Sequence, residues 1–258
     1  AEVTALPLDE AGVSAEALRR SGADVVHISP SHHYPTGLVM PITRRQELLR
    51  WAQEVPARVI LEDDYDSEFR FVGRPIPTLF SIDGGEQVVY LNTFSKTIAP
   101  SIRISFMVLP RRLLADFRQK LGFYACTVSA FEQYTLAQFL AGGWYEKHLS
   151  RMRKHYRQKR DAVIAAVHQS PLAPYAAITE EDAGLHFLLR LDGAPPDEVL
   201  RREAEQRGIR LAMLSDYYQR PQDAPQHVLV VNYTGIDLDR LPAALERLAA
   251  LWKENDHV

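Results

Sequence analysis

Lys96 is a primary amine set between two apolar runs, with small hydroxyl residues before it and an arginine seven positions after it. Val88-Val89-Tyr90-Leu91 precedes it and reads as a buried strand. Ile104-Ser105-Phe106-Met107-Val108-Leu109, closed by Pro110, follows and reads as another. A lysine at the end of a core strand loses part of its hydration, which favours the neutral, nucleophilic amine. The hydroxyls of Thr93 and Ser95 and the guanidinium of Arg103 are phosphate ligands by type. One turn therefore carries the groups needed by an aldehyde that also bears a phosphate. The competing reading is a surface turn whose lysine is merely solvated.

A second stretch changes that balance. Val59-Ile60-Leu61 reads as a buried strand and runs into Glu62-Asp63-Asp64-Tyr65-Asp66-Ser67-Glu68-Phe69. A carboxylate at a strand end, here Asp63, can pair with a protonated pyridine nitrogen and turn the ring into an electron sink. Tyr65 can donate its hydroxyl to a ring oxygen. The acidic run also fits a solvated turn or a site for a hard metal ion. It lacks the alternate-residue calcium-loop spacing with glycine, and no glycine-rich phosphate loop lies nearby. His32-His33 invites a metal reading too, but adjacent histidines on an extended chain point different ways and no third ligand is evident.

The elements that must position these groups follow from pattern and punctuation. Ser14 caps a helix to residue 20, and 24–28 is a strand. A loop with two prolines and a glycine covers 29–37, and Thr43 opens a helix to residue 53. Strand, helix and strand in that order predict an α/β sheet with substantial parallel pairing. In such sheets ligands gather at the carboxyl ends of strands. Tyr34, Asp63 and Lys96 each lie just past the end of a predicted strand. Beyond Pro110 the spacing predicts helices over 111–121, 129–140 and 144–168, the last one long and basic. Strands over 183–191, 209–212 and 228–231 follow, with a helix over 196–207 ended by Gly208 and a closing amphipathic helix over 238–252. The expected division is a large domain over 1–145 and a linking helix with a small α+β domain over 146–258.

Composition sets the outer bounds. The 258 residues are 46% hydrophobic and 24% charged, an ordinary globular balance. The net charge of −3 argues against holding nucleic acid by bulk electrostatics. Cys126 is the single cysteine, so an internal disulfide and a thiolate zinc site are excluded, and a reducing cytoplasm is expected. No apolar run approaches the length of a membrane span, and the N-terminus lacks a signal-peptide pattern.

The loop Ser29-Pro30-Ser31-His32-His33-Tyr34-Pro35-Thr36-Gly37, the acidic run through Phe69, and Thr93-Phe94-Ser95-Lys96 with Pro100 and Arg103 together resemble fold-type-I pyridoxal-phosphate enzymes of the aspartate aminotransferase group. Their wording is similar to the aminotransferase-like domain of MocR-type bacterial transcription regulators. The resemblance runs from about residue 24 to the last helix. It implies an α/β, fold-type-I aminotransferase-like fold, with a mostly parallel sheet in a large domain whose N-terminal part is missing here. A small C-terminal α+β domain completes it.

The resemblance also implies roles. Lys96 forms the internal aldimine with pyridoxal 5′-phosphate, and an amino effector then forms the external aldimine. Asp63 faces the pyridine nitrogen, Tyr65 bonds the ring hydroxyl oxygen, and Arg103, Ser95 and Thr93 hold the phosphate. Tyr34 stands where aminotransferases usually carry asparagine beside the ring oxygen. The comparable late strand, 228–235, lacks the arginine that binds a substrate carboxylate, leaving Arg190, Arg210 or Arg220 as substitutes. The family implies a homodimer, and in the regulators a winged helix-turn-helix absent from this sequence binds DNA. The leading expectation is an effector-sensing regulatory domain. The alternatives are a working amino-acid aminotransferase and a remnant that serves dimer contacts without cofactor.

Overall fold

The computed structural model describes residues 2–255. The chain forms two compact units: one from the residues up to Tyr34 together with Leu38–Met152, the other from Pro35–Gly37 and the residues from Arg153 onward.

The first unit opens with a short antiparallel ribbon, β1 (Leu8–Asp9) and β2 (Gly12–Val13). Ser14 then caps α1 (Ala15–Ser21), its Oγ accepting the Ala17 N–H at 3.1 Å, one of the donors a helix start leaves unpaired. β3 (Val25–Ile28), α2 (Ile42–Gln53), β4 (Val59–Asp63), α3 (Leu79–Asp83), β5 (Val88–Thr93) and β6 (Ser105–Val108) follow. The sheet order is β3-β4-β5-β6; β3, β4 and β5 are mutually parallel, and β6 is antiparallel to β5. The parallel pairing expected from the sequence is present, and the antiparallel edge strand is an addition to it. α4 (Arg111–Leu121) and α5 (Ala130–Ala141) come next, α5 capped by Ser129.

The core of this unit lies on one face of the sheet. Val26, Ile28, Ile60 and Val88 pack with Leu18 of α1, Leu48, Trp51 and Ala52 of α2, and Leu79 of α3. Side chains alternate along a strand, so the intervening residues point to the opposite face. The register Leu61 beside His27 and Asp63 beside Leu91 therefore puts His27, Asp63 and Thr93 on one common face, away from the helices α2 and α3.

Two charged residues sit wholly inside the core. Arg45 of α2 and Glu62 of β4 are both 0% exposed, with Nη1 and Oε1 3.7 Å apart. Arg45 donates to the carbonyls of Met40 (3.1 Å), Pro77 (3.0 Å) and Pro30 (2.8 Å). Glu62 accepts the N–H groups of Leu79 (2.8 Å) and Phe80 (2.9 Å), the first turn of α3. Burial pushes the Glu62 carboxyl upward and the Arg45 guanidinium downward from their ordinary values, each opposed by these partners.

α6 (Trp144–Gln169) carries the chain into the second unit. There β7 (Ala176–Thr179), β8 (His186–Leu191) and β9 (Val228–Asn232) form an antiparallel sheet in that order, with α7 (Asp197–Gln206) and α8 (Leu241–Asn255). The Pro-Thr-Gly segment belongs to this unit: the Pro35 carbonyl lies 3.0 Å from His186 Nε2. Gly37 has φ 75°, and a Cβ there would lie 2.5 Å from the Glu180 Cβ, so no other residue fits. No helix among the described residues is long and apolar enough to cross a membrane.

The strand expected over 209–212 does not form. Only Met213 bridges Leu229, and the Val230 N–H bonds the Ala212 carbonyl at 2.9 Å. The Met213 N–H turns instead to Asp216 Oδ2 (3.0 Å), starting the 3-10 turn Leu214–Tyr217 and ending the ladder after one rung. β8 starts at His186 rather than 183, after Gly184 at φ 69°. α2 begins at Ile42, behind Pro41, with no side-chain cap.

Replacing Arg45 with methionine should destabilise the protein by about 3–5 kcal/mol in urea unfolding, because three buried carbonyls and Glu62 lose their donor. Arg20→Ala, which removes the exposed i,i+4 pair with Glu16, should change stability by less than about 0.5 kcal/mol. Similar losses for the two variants would refute the structural role given to Arg45.

Candidate functional site

Parallel strands end at the same edge of a sheet, and three of them end here with polar loops. Asp63 is the last residue of β4, half-buried, and its register partner is Leu91. Two residues further along β5, Thr93 closes that strand on the same face. A tight turn over 94–98 follows, with the Ile98 N–H bonded to the Phe94 carbonyl at 2.9 Å. The Thr93 hydroxyl holds this turn at both sides: it accepts the Ser95 N–H (3.1 Å) and donates to the Ile104 carbonyl (3.2 Å). His148 Nε2, near the start of α6, lies 3.0 Å from the Thr97 carbonyl, and Tyr145 meets the Phe94 ring edge-on at 5.9 Å.

Lys96 projects from that turn. It is exposed and makes no hydrogen bond or ion pair among the described residues. This departs from the desolvated amine expected from sequence: the turn lifts the residue three positions beyond the strand end and out of the core. Arg103 is also exposed and without such partners among the described residues. It ends the 3-10 turn Pro100–Ile102 at φ 50° and ψ 31°, a left-handed conformation that few non-glycine residues adopt.

Asp63 faces His27 across the sheet, with Nε2 and Oδ2 3.4 Å apart. The bond to Asp63 raises the His27 pKa above the ordinary imidazole value, against the opposing effect of burial. Burial drives the Tyr65 phenol well above its usual range, and the carboxylates of Asp66 and Asp63 and the nearby Tyr34 add to the effect. Tyr65 is thus held as a protonated donor, in electrostatic contact with both Asp63 and Tyr34. Tyr34 itself is 43% exposed, in the loop after β3.

The acidic run is divided among separate partners. Glu62 caps α3. Asp64 accepts the hydroxyls of Ser67 and Tyr90, both at 2.8 Å. Asp66 Oδ2 lies 2.9 Å from His32 Nδ1. Burial raises the Glu68 carboxyl, which meets the Asn92 amide at 3.4 Å. Sequence reasoning did not find His27, Arg45 or the His32–Asp66 pair. The His27 contact follows from a cross-strand register that no local pattern reveals. The helix pattern over 43–53 gives no sign that Arg45 faces inward, and the metal reading of His32-His33 lacks a third ligand in the sequence.

Comparison with known proteins places this geometry. The family described as aminotransferase class I and II matches residues 13–254. The HTH-type transcriptional regulator YdeL of Bacillus subtilis is 36% identical over 251 residues, covering 97% of this chain and 53% of the regulator. The probable rhizopine catabolism regulatory protein MocR of Rhizobium meliloti is 36% identical over 238 residues, covering 92% and 47%. The chain thus spans about half the length of these relatives. Among solved structures, the kynurenine aminotransferase of Pyrococcus horikoshii, in complex with PMP, aligns with TM-score 0.81 at 27% identity, covering 97% of this chain and 63% of that one. LysN of Thermus thermophilus, complexed with N-(5′-phosphopyridoxyl)-L-leucine, aligns with TM-score 0.79 at 25% identity, covering 98% and 66%. By sequence and by fold, the chain belongs to the aminotransferase class I and II family, in the aminotransferase-like form that MocR-type regulators carry.

Proposed function

We propose that this chain is the pyridoxal-phosphate-binding, effector-sensing domain of a MocR-type transcription regulator. The observation that carries the reading is the donor set at one sheet edge: an amine and a guanidinium without partners among the described residues, a carboxylate and a protonated phenol. Its chemistry fits the four handles of the cofactor, which are aldehyde, phosphate, pyridine nitrogen and ring oxygen. When bound, pyridoxal phosphate supplies a reactive aldehyde and an electron-withdrawing ring. Lys96 offers the nucleophilic amine, and its exposure lets an amino compound reach the same position. Asp63 places negative charge where the pyridine nitrogen is protonated. Arg103 and the Ser95 hydroxyl hold the phosphate. Thr93 acts through the turn it braces, and Tyr65 donates to the ring oxygen with Tyr34 beside it.

In this reading residues 1–145 bind the cofactor, and the linking helix and small domain of 146–258 complete the sensor. The protein works as a cytoplasmic homodimer, and DNA is bound by a separate winged-helix module. The alternative reading, an amino-acid aminotransferase, is supported by the solved relatives of that activity. Mixing with an amino acid and a keto-acid acceptor separates the two: a spectral change without sustained keto-acid release supports the sensor, and steady turnover supports the enzyme.

Lys96→Ala should lose all cofactor trapped by borohydride reduction while keeping the wild-type far-UV spectrum. A cofactor adduct still found by mass spectrometry on that variant would move the nucleophile elsewhere. Asp63→Ala should weaken cofactor binding by about 10- to 100-fold, the worth of a charge-assisted hydrogen bond, measured by absorbance titration.

The His27–Asp63 pair adds a pH signature. The His27 pKa is raised in the fold, so its stabilisation is complete below the unfolded value of about 6.5 and is lost as pH rises through the folded value. The His27 side chain is 59% exposed, so solvent screening limits the effect to less than about 1 kcal/mol. Melting temperatures from pH 5 to 8 should fall more in wild type than in His27→Gln, and parallel curves would remove the pair from this role.

A further inference from the structure

We propose that His32 and Asp66 form a positioning pair that fixes the Tyr65 hydroxyl where it meets the ring oxygen of the cofactor. The inference rests on the cofactor reading above and adds two residues to it.

The pair joins the loop after β3 to the acidic run after β4, inside the first unit. Its side chains are 1% and 2% exposed, and His32 Nδ1 lies 2.9 Å from Asp66 Oδ2. The Tyr65 hydroxyl lies 3.2 Å from the same nitrogen. A carboxylate can only accept, so the hydrogen-bond network assigns the proton to Nδ1. That N–H is shared between the Asp66 carboxylate and the Tyr65 oxygen. Tyr65 therefore receives a hydrogen bond at its oxygen and keeps its single proton to give.

The Asp66 carboxylate beside it also helps to hold the Tyr65 hydroxyl protonated. Tyr65 would turn this proton toward the ring oxygen of a bound cofactor. When the proton turns toward the ring oxygen, His32 still holds the phenol oxygen from behind, and Asp66 still holds His32. Each group keeps a partner in both arrangements, as buried polar groups require. Only the hydroxyl hydrogen turns, about the C–O bond, and the phenol oxygen stays in place. A purely structural pair, one that only fastened the loop to the acidic run, would not need the tyrosine hydroxyl.

The test is a double-mutant cycle read by pyridoxal 5′-phosphate binding in absorbance titration. His32→Ala should weaken binding about 3- to 10-fold in the protein with Tyr65. In the Tyr65→Phe background the same change should matter less than about 2-fold, because the group it acts through is gone. His32→Asn, whose amide N–H stands close to the position of Nδ1, should restore most of the affinity, and His32→Gln should not. The visible absorbance of the bound cofactor should shift in His32→Ala only when the Tyr65 hydroxyl is present. Should His32→Ala fail to fold, Asp66→Asn carries the same cycle with the same expected coupling. Equal losses in both backgrounds, with wild type binding normally, overturn this inference alone. Absence of binding by wild type overturns the cofactor reading and this inference with it.

Discussion

One guanidinium held out of water organises the first unit. Arg45 donates to the carbonyls of Pro30 and Met40, the two ends of the loop between β3 and α2, and to Pro77 just before α3. A long loop is entropically expensive to close, and three bonds from one side chain close this one at its base. Glu62 completes the arrangement by accepting the first N–H groups of α3 and lying against Arg45. A buried pair of this kind gives little net stability against a well-packed apolar substitute, so its value lies in the geometry it fixes.

The period of the strand converts that geometry into a site. Glu62 points into the core, and its neighbour Asp63 must then point to the other face. The same alternation along β5 sets Thr93 on the Asp63 side, and the parallel register brings both to one edge. Charge is partitioned as cleanly as direction. The inward carboxylate is matched by a buried arginine and two backbone donors, whereas the outward one faces an exposed histidine and the Tyr65 phenol. Adjacent residues in one strand thus meet separate surroundings, one the packed core and one the open face of the sheet.

Much of this was legible from the residues in order. Helix α1 announces itself by Ser14 and Gly22, α4 by Pro110, and α5 by Ser129 and the glycines after it. The apolar runs that become β3, β4 and β5 are bounded by turn residues, and polar loops follow each of them. What was not legible depends on contacts distant in sequence. The 209–212 run has strand composition, yet a side chain four residues beyond its end captures the backbone and stops the pairing. The five-residue α3 adds to its local cap Thr78 a distant one, Glu62, which lies seventeen positions before Leu79 and accepts its N–H. The exposure of Lys96 is set by the turn that Thr93 braces, and a strand pattern alone predicts a drier amine. His32 and Asp66 are thirty-four residues apart and are meaningful only as a pair.

The backbone at Arg103 carries a further consequence. A residue with a Cβ in the left-handed region, as Arg103 is, costs about 1–2 kcal/mol relative to the ordinary helical region, a penalty glycine avoids. Any effort to harden this protein against heat by relieving backbone strain would therefore select position 103 early, and success there would remove the positive charge at the mouth of the sheet. Resilience and a positive charge at this turn compete for the same peptide unit, so a tougher variant would be obtained at the cost of that charge.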